Sequence, residues 1–201
     1  MPHRPALRPA YWAVVTVAVL LTAAIFGFFY AWVCSTMWGL DDADPRVAIE
    51  AMQAMNGSVR NAVFFPAFFL TPVALALAAL MSSRSGRRLS AALFLAAAVV
   101  YGLGGLVLTM TVNVPMNEEL AAVVVPQDLA EAGRIWNDYS GTWQVWNVVR
   151  TIASGVALLL AVGGIRAASS PPGATRARSF SAGTADAGAR SRRRAPSAPL
   201  R

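Results

Sequence analysis

The stretch LSAALFLAAAVVYGLGGLVLTMT, Leu89 to Thr111, contains no Asp, Glu, Lys or Arg. As an α-helix it rises about 34 Å at 1.5 Å per residue. That is enough to cross a bilayer core of about 30 Å. Three more runs read the same way: Tyr11 to Val33, Phe64 to Met81 and Val148 to Ile165. None contains an acidic residue. In hydrocarbon only helices and closed barrels satisfy every backbone group, and runs of this length are helical. The sequence therefore predicts an all-α polytopic membrane protein, a four-transmembrane-helix bundle over residues 11–166. Pro66 and Pro72 fall inside the second run and predict a kink there.

The composition agrees. The chain is 56% hydrophobic and 13% charged, against about a quarter charged in soluble domains. The pI suggests nucleic acid, but the charges are segregated. All seventeen basic residues are Arg. The N-terminal tail (1–10), the second loop and the chain from Arg166 onward hold thirteen Arg against Asp186 alone. The first and third loops and their flanks hold Arg46, Arg60, Arg134 and Arg150 against nine acids. The positive-inside rule then predicts both termini in the cytoplasm and the first and third loops outside, in a cell membrane. Trp32, Trp38, Trp136, Trp143 and Trp146 fall at the outer interface, as an aromatic belt does.

The first run is read as an uncleaved span. Its apolar stretch is longer than a signal peptide's and no A-x-A site follows. Residues 167–201 are rich in Ser, Pro, Gly, Ala and Arg and predict a disordered cytoplasmic tail. Its RSRRR cluster, Arg190 to Arg194, is read as attracted to anionic lipid rather than to nucleic acid. Short outer helices are expected at Ala48 to Asn56 and from Asp128 to Tyr139, with Ser140-Gly141 breaking the second from the fourth span. Asp41, Asp42 and Asp44 lack the Gly at position 6 and the Glu at position 12 of a calcium loop and predict a solvated turn and a helix cap.

Catalytic metals and cofactors have little to hold them. The chain has one Cys, Cys34, and one His, His3. Glu118 and Glu119 are adjacent and point about 100° apart on a helix. The expectation is no protein-bound metal and no cofactor. No Gly-rich phosphate loop is present either.

Polar groups concentrate where the third span ends and the fourth begins. Asn113 and Asn117 flank Pro115, and Glu118 follows. If the helix continues through Pro115, both amides share a face. Trp143, Asn147 and Arg150 form one stripe at i, i+4 and i+7. Two readings stand. In the first, the amides close helix ends and Arg150 snorkels to headgroups. In the second, Arg150 turns inward, meets Glu118 or the amides, and holds an anion.

These residues carry a resemblance. The features are Gly39-Leu40, the segment Met52 to Asn56, Asn113-Val-Pro-Met-Asn117 with Leu120, Trp136, Tyr139, Trp143, Trp146-Asn147 and Arg150-Thr151. Over about residues 13–164 the chain resembles the anthrone-oxygenase-like family of small four-span membrane proteins. Many bacterial members have no assigned substrate. Characterised relatives oxidise anthrones to anthraquinones with molecular oxygen and no established metal or flavin. The resemblance implies a cofactor-independent oxygenase in the bilayer, acting on a small apolar aromatic substrate at the outer leaflet. Glu118 is then the candidate base and Arg150 the candidate anion stabiliser. Asn113, Asn117 and Asn147 are candidate donors to the oxyanion. Trp143 and Trp146 are candidate stacking partners for the ring system. The alternative is a non-catalytic membrane protein that binds a lipid or a partner subunit through the same cluster.

Overall fold

A computed structural model describes residues 9–169 of the chain. The predicted N-terminal tail, apart from its last two residues, and nearly all of the predicted Arg-rich tail lie outside the described residues. Among those described there are five helices and no strand. They are α1 (Pro9–Asp41), α2 (Pro45–Ser58), α3 (Phe64–Arg84), α4 (Arg88–Ala121) and α5 (Leu129–Ser169). All but α2 are long and apolar enough to cross a membrane, which makes this an integral membrane protein.

The four long helices alternate in direction, and polar ties at each end fix their order. At one end, the Tyr11 phenol lies 3.1 Å from Ser82 Oγ, and Ser82 lies 3.2 Å from Ser90. Ser90 Oγ donates to the Gly164 carbonyl at 2.9 Å. One chain of hydroxyls thus joins α1, α3, α4 and α5. Arg87 adds a bond to the Ala168 carbonyl. The turn between α3 and α4 reverses at Gly86, whose φ of 71° suits glycine.

The other end, called here the cap end, carries α2. Helix α1 has 33 residues, α4 has 34 and α5 has 41. At 1.5 Å per residue they run about 50 to 60 Å, well past a bilayer core of about 30 Å. Their excess builds a second apolar core with α2, made of Met37, Ile49, Met52, Leu120, Trp136 and Trp143 among others. Asp44 caps α2, accepting from the Arg46 backbone N–H at 2.9 Å. The Arg46 side-chain hydrogen bond first, then that backbone bond, hold the Asp44 carboxyl at about 2, below its ordinary 3.8. Gln53 Nε2 closes the end of α4, donating to the carbonyls of Leu120 (2.8 Å) and Val123 (2.9 Å).

The predicted break at Ser140-Gly141 is corrected, because α5 is one α-helix from Leu129 to Ser169. Asp128 caps its start as expected, accepting from the Glu131 N–H at 3.0 Å. A helical Gly costs about 1 kcal/mol relative to Ala. Local packing offsets it. Asp41 Oδ1 accepts from Ser140 Oγ at 2.6 Å and from Trp136 Nε1 at 2.9 Å, and Oδ2 accepts from Gln144 Nε2 at 2.8 Å. One carboxylate at the end of α1 therefore pins two turns of α5 across Gly141.

Within the span region, Ala78, Ala97, Ala98, Ala157 and Ala161 bury small side chains between helices. Lipid tails are as apolar as the core, so close contact rather than hydrophobicity drives this packing. Gly104 of α4 lies close against Ala153 of α5, where an added Cβ would lie 2.6 Å from Ala153 Cβ.

The prolines in α3 have different consequences. Pro66 sits in the first turn, where no backbone N–H is needed. Pro72 is interior and deprives the Phe68 carbonyl of its helical donor. Tyr101 of α4 donates its phenol to that carbonyl at 2.8 Å. Tyr101→Phe should therefore lower the melting temperature in detergent, by the equivalent of about 1–3 kcal/mol for a buried unpaired carbonyl. Adding Pro72→Ala should restore it, because residue 72 then supplies the N–H. An equal loss in the single and double variants would overturn this account.

Candidate functional site

The site begins with departures from α-helical pitch. Helix α1 widens to π geometry at Trp32–Thr36, and α4 widens at Gly102–Val107 and Thr109–Asn113. The last wide turn directly precedes Pro115. There the Val114 N–H bonds to the Thr109 carbonyl, five residues back. Such a turn accommodates a residue that cannot donate. The helix does continue through Pro115, to Ala121.

Arg150 lies on the face of α5 that meets these segments and is only 5% exposed. Its guanidinium carbon sits 4.6 Å from the centre of the Phe29 ring and 5.2 Å from that of Trp143. Nη2 donates to Asn147 Oδ1 at 2.9 Å, and Nη1 to Thr109 Oγ1 at 3.4 Å. Nε has no partner. Among the described residues no carboxylate lies within ion-pair distance of it. Asn147 works as an adapter, since its Nδ2 donates to the Phe29 carbonyl at 3.1 Å, three residues before the wide turn of α1. Thr109 donates its own hydroxyl to the Gly105 carbonyl at 2.6 Å, leaving the oxygen to accept from Arg150.

Asn117, one turn past Asn113, centres a second network. Its Oδ1 accepts from the Tyr139 phenol and from Trp143 Nε1, both at 2.9 Å. Its Nδ2 donates to Asn56 Oδ1 at 3.1 Å. Asn56 Nδ2 returns a longer bond of 3.4 Å to the Tyr139 phenol. Helices α2, α4 and α5 are locked together by this ring of bonds. The indole of Trp143 is shared by both networks and packs against Trp32, centroids 5.1 Å apart and 57° tilted.

Between the networks lies a cavity of about 290 Å³. That is near the lower bound of about 300 Å³ for small-molecule sites. Aromatic rings form its walls: Phe28, Phe29, Trp32, Phe64, Phe68 and Trp143. Thr109 and Arg150 line its buried part. Asn56, Arg60, Asn117 and Glu118 also line it, with Arg60 and Glu118 at the exposed mouth. These two form an ion pair at 3.3 Å, with side chains 54% and 60% exposed.

Of the residues singled out from sequence, the cavity gathers Glu118, Asn117, Trp143 and Arg150. Asn147 stands behind Arg150 and orients it. Glu118 is exposed and pairs with Arg60, rather than being buried beside Arg150. Trp146 is half-buried and does not line the cavity. Asn113 is fully buried (0% exposed), does not line the cavity, and leaves both amide atoms unpartnered. Thr109 and the Phe walls were not singled out, and Tyr139 carried the resemblance without a site role. Phe28, Phe29 and the Phe residues between 64 and 69 lie in apolar runs that the sequence reads only as spans, and the fold shows that they line the cavity. Among the described residues no group of three His, Cys, Asp or Glu side chains is placed to hold a metal ion.

Fold and site together define a four-span membrane protein with an aromatic cavity that ends on a buried arginine. Residues 56–160 match the family model described as anthrone oxygenase. The match covers just over half of the chain, and the chain belongs to that family. No curated protein and no solved structure matches it.

The two asparagines should separate on substitution. Asn117→Leu strands the Tyr139 hydroxyl and the Trp143 indole N–H, so it should lower the melting temperature by the equivalent of about 2–4 kcal/mol. Asn113→Leu removes an amide with no partners at similar volume, so it should leave the melting temperature unchanged or raised. A clear drop for Asn113→Leu would show that its amide is hydrogen-bonded after all.

Proposed function

We propose that the cavity is an oxygenase site for a flat, apolar, anthrone-like substrate, and that it opens toward the outer leaflet with both termini cytoplasmic. The orientation rests on the sequence alone, with thirteen Arg in the N-terminal tail, the second loop and the chain from Arg166 onward against one acid. The observation that carries the chemistry is Arg150. A buried guanidinium with no carboxylate partner is costly, and intramembrane charge of that kind marks a site. Set among rings at the inner part of an aromatic cavity, it suits a delocalised oxyanion.

An anthrone places its carbonyl and its reactive methylene on opposite edges of the central ring. The cavity offers a cation within and a carboxylate, Glu118, at the mouth. With the carbonyl oxygen at Arg150, the methylene faces Glu118. Glu118 takes one methylene proton, and the electron pair left on carbon delocalises onto the oxygen held by Arg150. Dioxygen adds to that carbon and, with a proton, becomes a hydroperoxide. Loss of water from the hydroperoxide forms the second carbonyl. One oxygen atom stays in the quinone and the other leaves as water with the two methylene hydrogens. The substrate supplies all the electrons, and no step calls on a cofactor. Asn147 and Thr109 keep the guanidinium in place, and Trp143 stacks on the ring.

A non-catalytic site for a lipid or partner subunit is the second reading. It draws on the presence of two arginines, Arg60 and Arg150, in the cavity lining. The two readings differ in oxygen uptake by the purified protein with an anthrone. We expect uptake that EDTA leaves unchanged. Arg150→Gln should slow it about 10²–10³-fold and Glu118→Gln about 10²–10⁴-fold, in proteins shown to be folded. No uptake by the unmodified protein with any of a panel of anthrones and hydroquinones would favour the binding reading. Uptake abolished by EDTA would overturn the cofactor-free mechanism.

A further inference from the structure

We infer that Arg60 is a specificity-determining residue that reads a carboxylate on an outer ring of the substrate, exchanging its bond to Glu118 for a bond to that group. The inference rests on the oxygenase reading of the cavity and names a feature of the substrate.

Two ion pairs in the cap end show what the chain builds for different ends. Arg46 grips Asp44 with two side-chain bonds, Nε to Oδ1 at 3.0 Å and Nη2 to Oδ2 at 2.6 Å. That pair fixes the start of α2, and neither residue lines the cavity. Arg60 touches Glu118 with one prong, Nη2 to Oε1 at 3.3 Å, and both residues line the cavity. A guanidinium fork matches a carboxylate with two parallel bonds. The pair at the mouth uses one of them, so most of the fork is open to another acceptor. Exposed pairs of this kind are weak and exchange at little cost.

The backbone beneath Arg60 is firmly placed. Asn61 Oδ1 accepts from the N–H groups of Val63 (2.8 Å) and Phe64 (2.9 Å), and its Nδ2 donates to the Ser58 carbonyl at 2.7 Å. The Arg60 N–H bonds to the Gly57 carbonyl at 3.3 Å. A rigid link therefore holds a long, exposed, adaptable side chain over an aromatic cavity. In the resting pair, Glu118 Oε1 accepts from Arg60 and is engaged. A substrate carboxylate that takes Arg60 replaces one anion by another of the same charge. It also frees the Glu118 oxygen at the mouth, where the proton is taken. Arg150 and Arg60 then read two separate points of one flat molecule, its carbonyl oxygen within and its carboxylate at the rim.

Binding tests this without turnover. Trp32 and Trp143 line the cavity, so quenching of tryptophan fluorescence reports occupancy. The probes are anthraquinone-2-carboxylate and the neutral anthraquinone-2-carboxamide, with the full-length protein in detergent. Arg60→Gln should weaken the carboxylate about five-fold and Glu118→Gln should tighten it about two- to five-fold, by removing its competitor. The carboxamide should change less than about two-fold in either variant, which also shows the variants to be folded. Equal effects on both probes, or no effect of Arg60→Gln on the carboxylate, would overturn the role of Arg60. Failure of both probes to bind the unmodified protein would instead overturn the aromatic-site reading beneath it.

Discussion

The structure around the cavity depends on one unbalanced charge. Arg150 is buried between the rings of Phe29 and Trp143, and among the described residues no acid pairs with it. A charge cannot be removed from water without replacement dipoles. Here they come from neutral groups, one on its own helix and one on α4. Asn147 accepts from Arg150 while bonded to the carbonyl of Phe29 in α1, and Thr109 supplies an oxygen from α4. Two faces of ring electron density add to these, while Nε has no hydrogen-bond partner. A carboxylate in the same place would have neutralised the site and closed it to an anionic ligand. Neutral acceptors hold the side chain and leave its charge unspent.

The same accounting governs the backbone. In a bilayer, a carbonyl that loses its helical donor finds no water, so another helix must supply a partner. Pro72 strands the carbonyl of Phe68, and the phenol of Tyr101 answers it from α4. At the opposite end Ser82, Ser90 and Tyr11 satisfy their own buried hydroxyls by bonding one another and the Gly164 carbonyl. All but the Ser82–Ser90 contact join residues far apart in sequence, so the polar groups of the span region set helix order where hydrophobicity is indifferent. Beyond the bilayer the logic changes. The cap end buries its own apolar core, and Asp41 pins α1 to α5 as in a soluble domain.

Much of this was legible in the sequence. Four apolar runs without an acid gave four membrane helices, and Asn-x-Pro-x-Asn with Trp-Asn-x-x-Arg marked the family. Helix ends and side-chain environments were less so. Ser140-Gly141 looks like a break because Gly and Ser weaken isolated helices, and nothing local reveals that Asp41, about a hundred residues earlier, holds that turn. Glu118 stands next to the buried face by spacing, yet it turns to Arg60 across the cavity mouth. Facing along α4 is hard to extrapolate, because two wide turns lie between Gly102 and Asn113. Each extra residue in a turn rotates everything after it relative to a 3.6 period. Asn113 and Asn117 lie one turn apart yet meet unlike surroundings, one amide without partners and the other centring a network.

Those wide turns also explain why a cavity exists at this depth. A straight four-helix bundle with Ala and Leu at its seams packs to near-crystalline density and leaves no room for a ligand. Trp32–Thr36 in α1 and Thr109–Asn113 in α4 widen at the level of Arg150. Phe29 stands just before the first of these turns, Trp32 opens it, and Thr109 and Met110 open the second. All four line the cavity. A π turn forgoes good helical hydrogen bonds and tight packing, and it persists only where surrounding contacts fix it. The Asn147 bond to Phe29 and the Arg150 bond to Thr109 are such contacts, each anchored beside one wide turn. The residues that hold the charge therefore also hold open the space beside it, so cavity shape and electrostatics are coupled through the same side chains. Pocket and charge are consequently one feature of the fold, because loss of the Arg150 cluster removes what braces both turns.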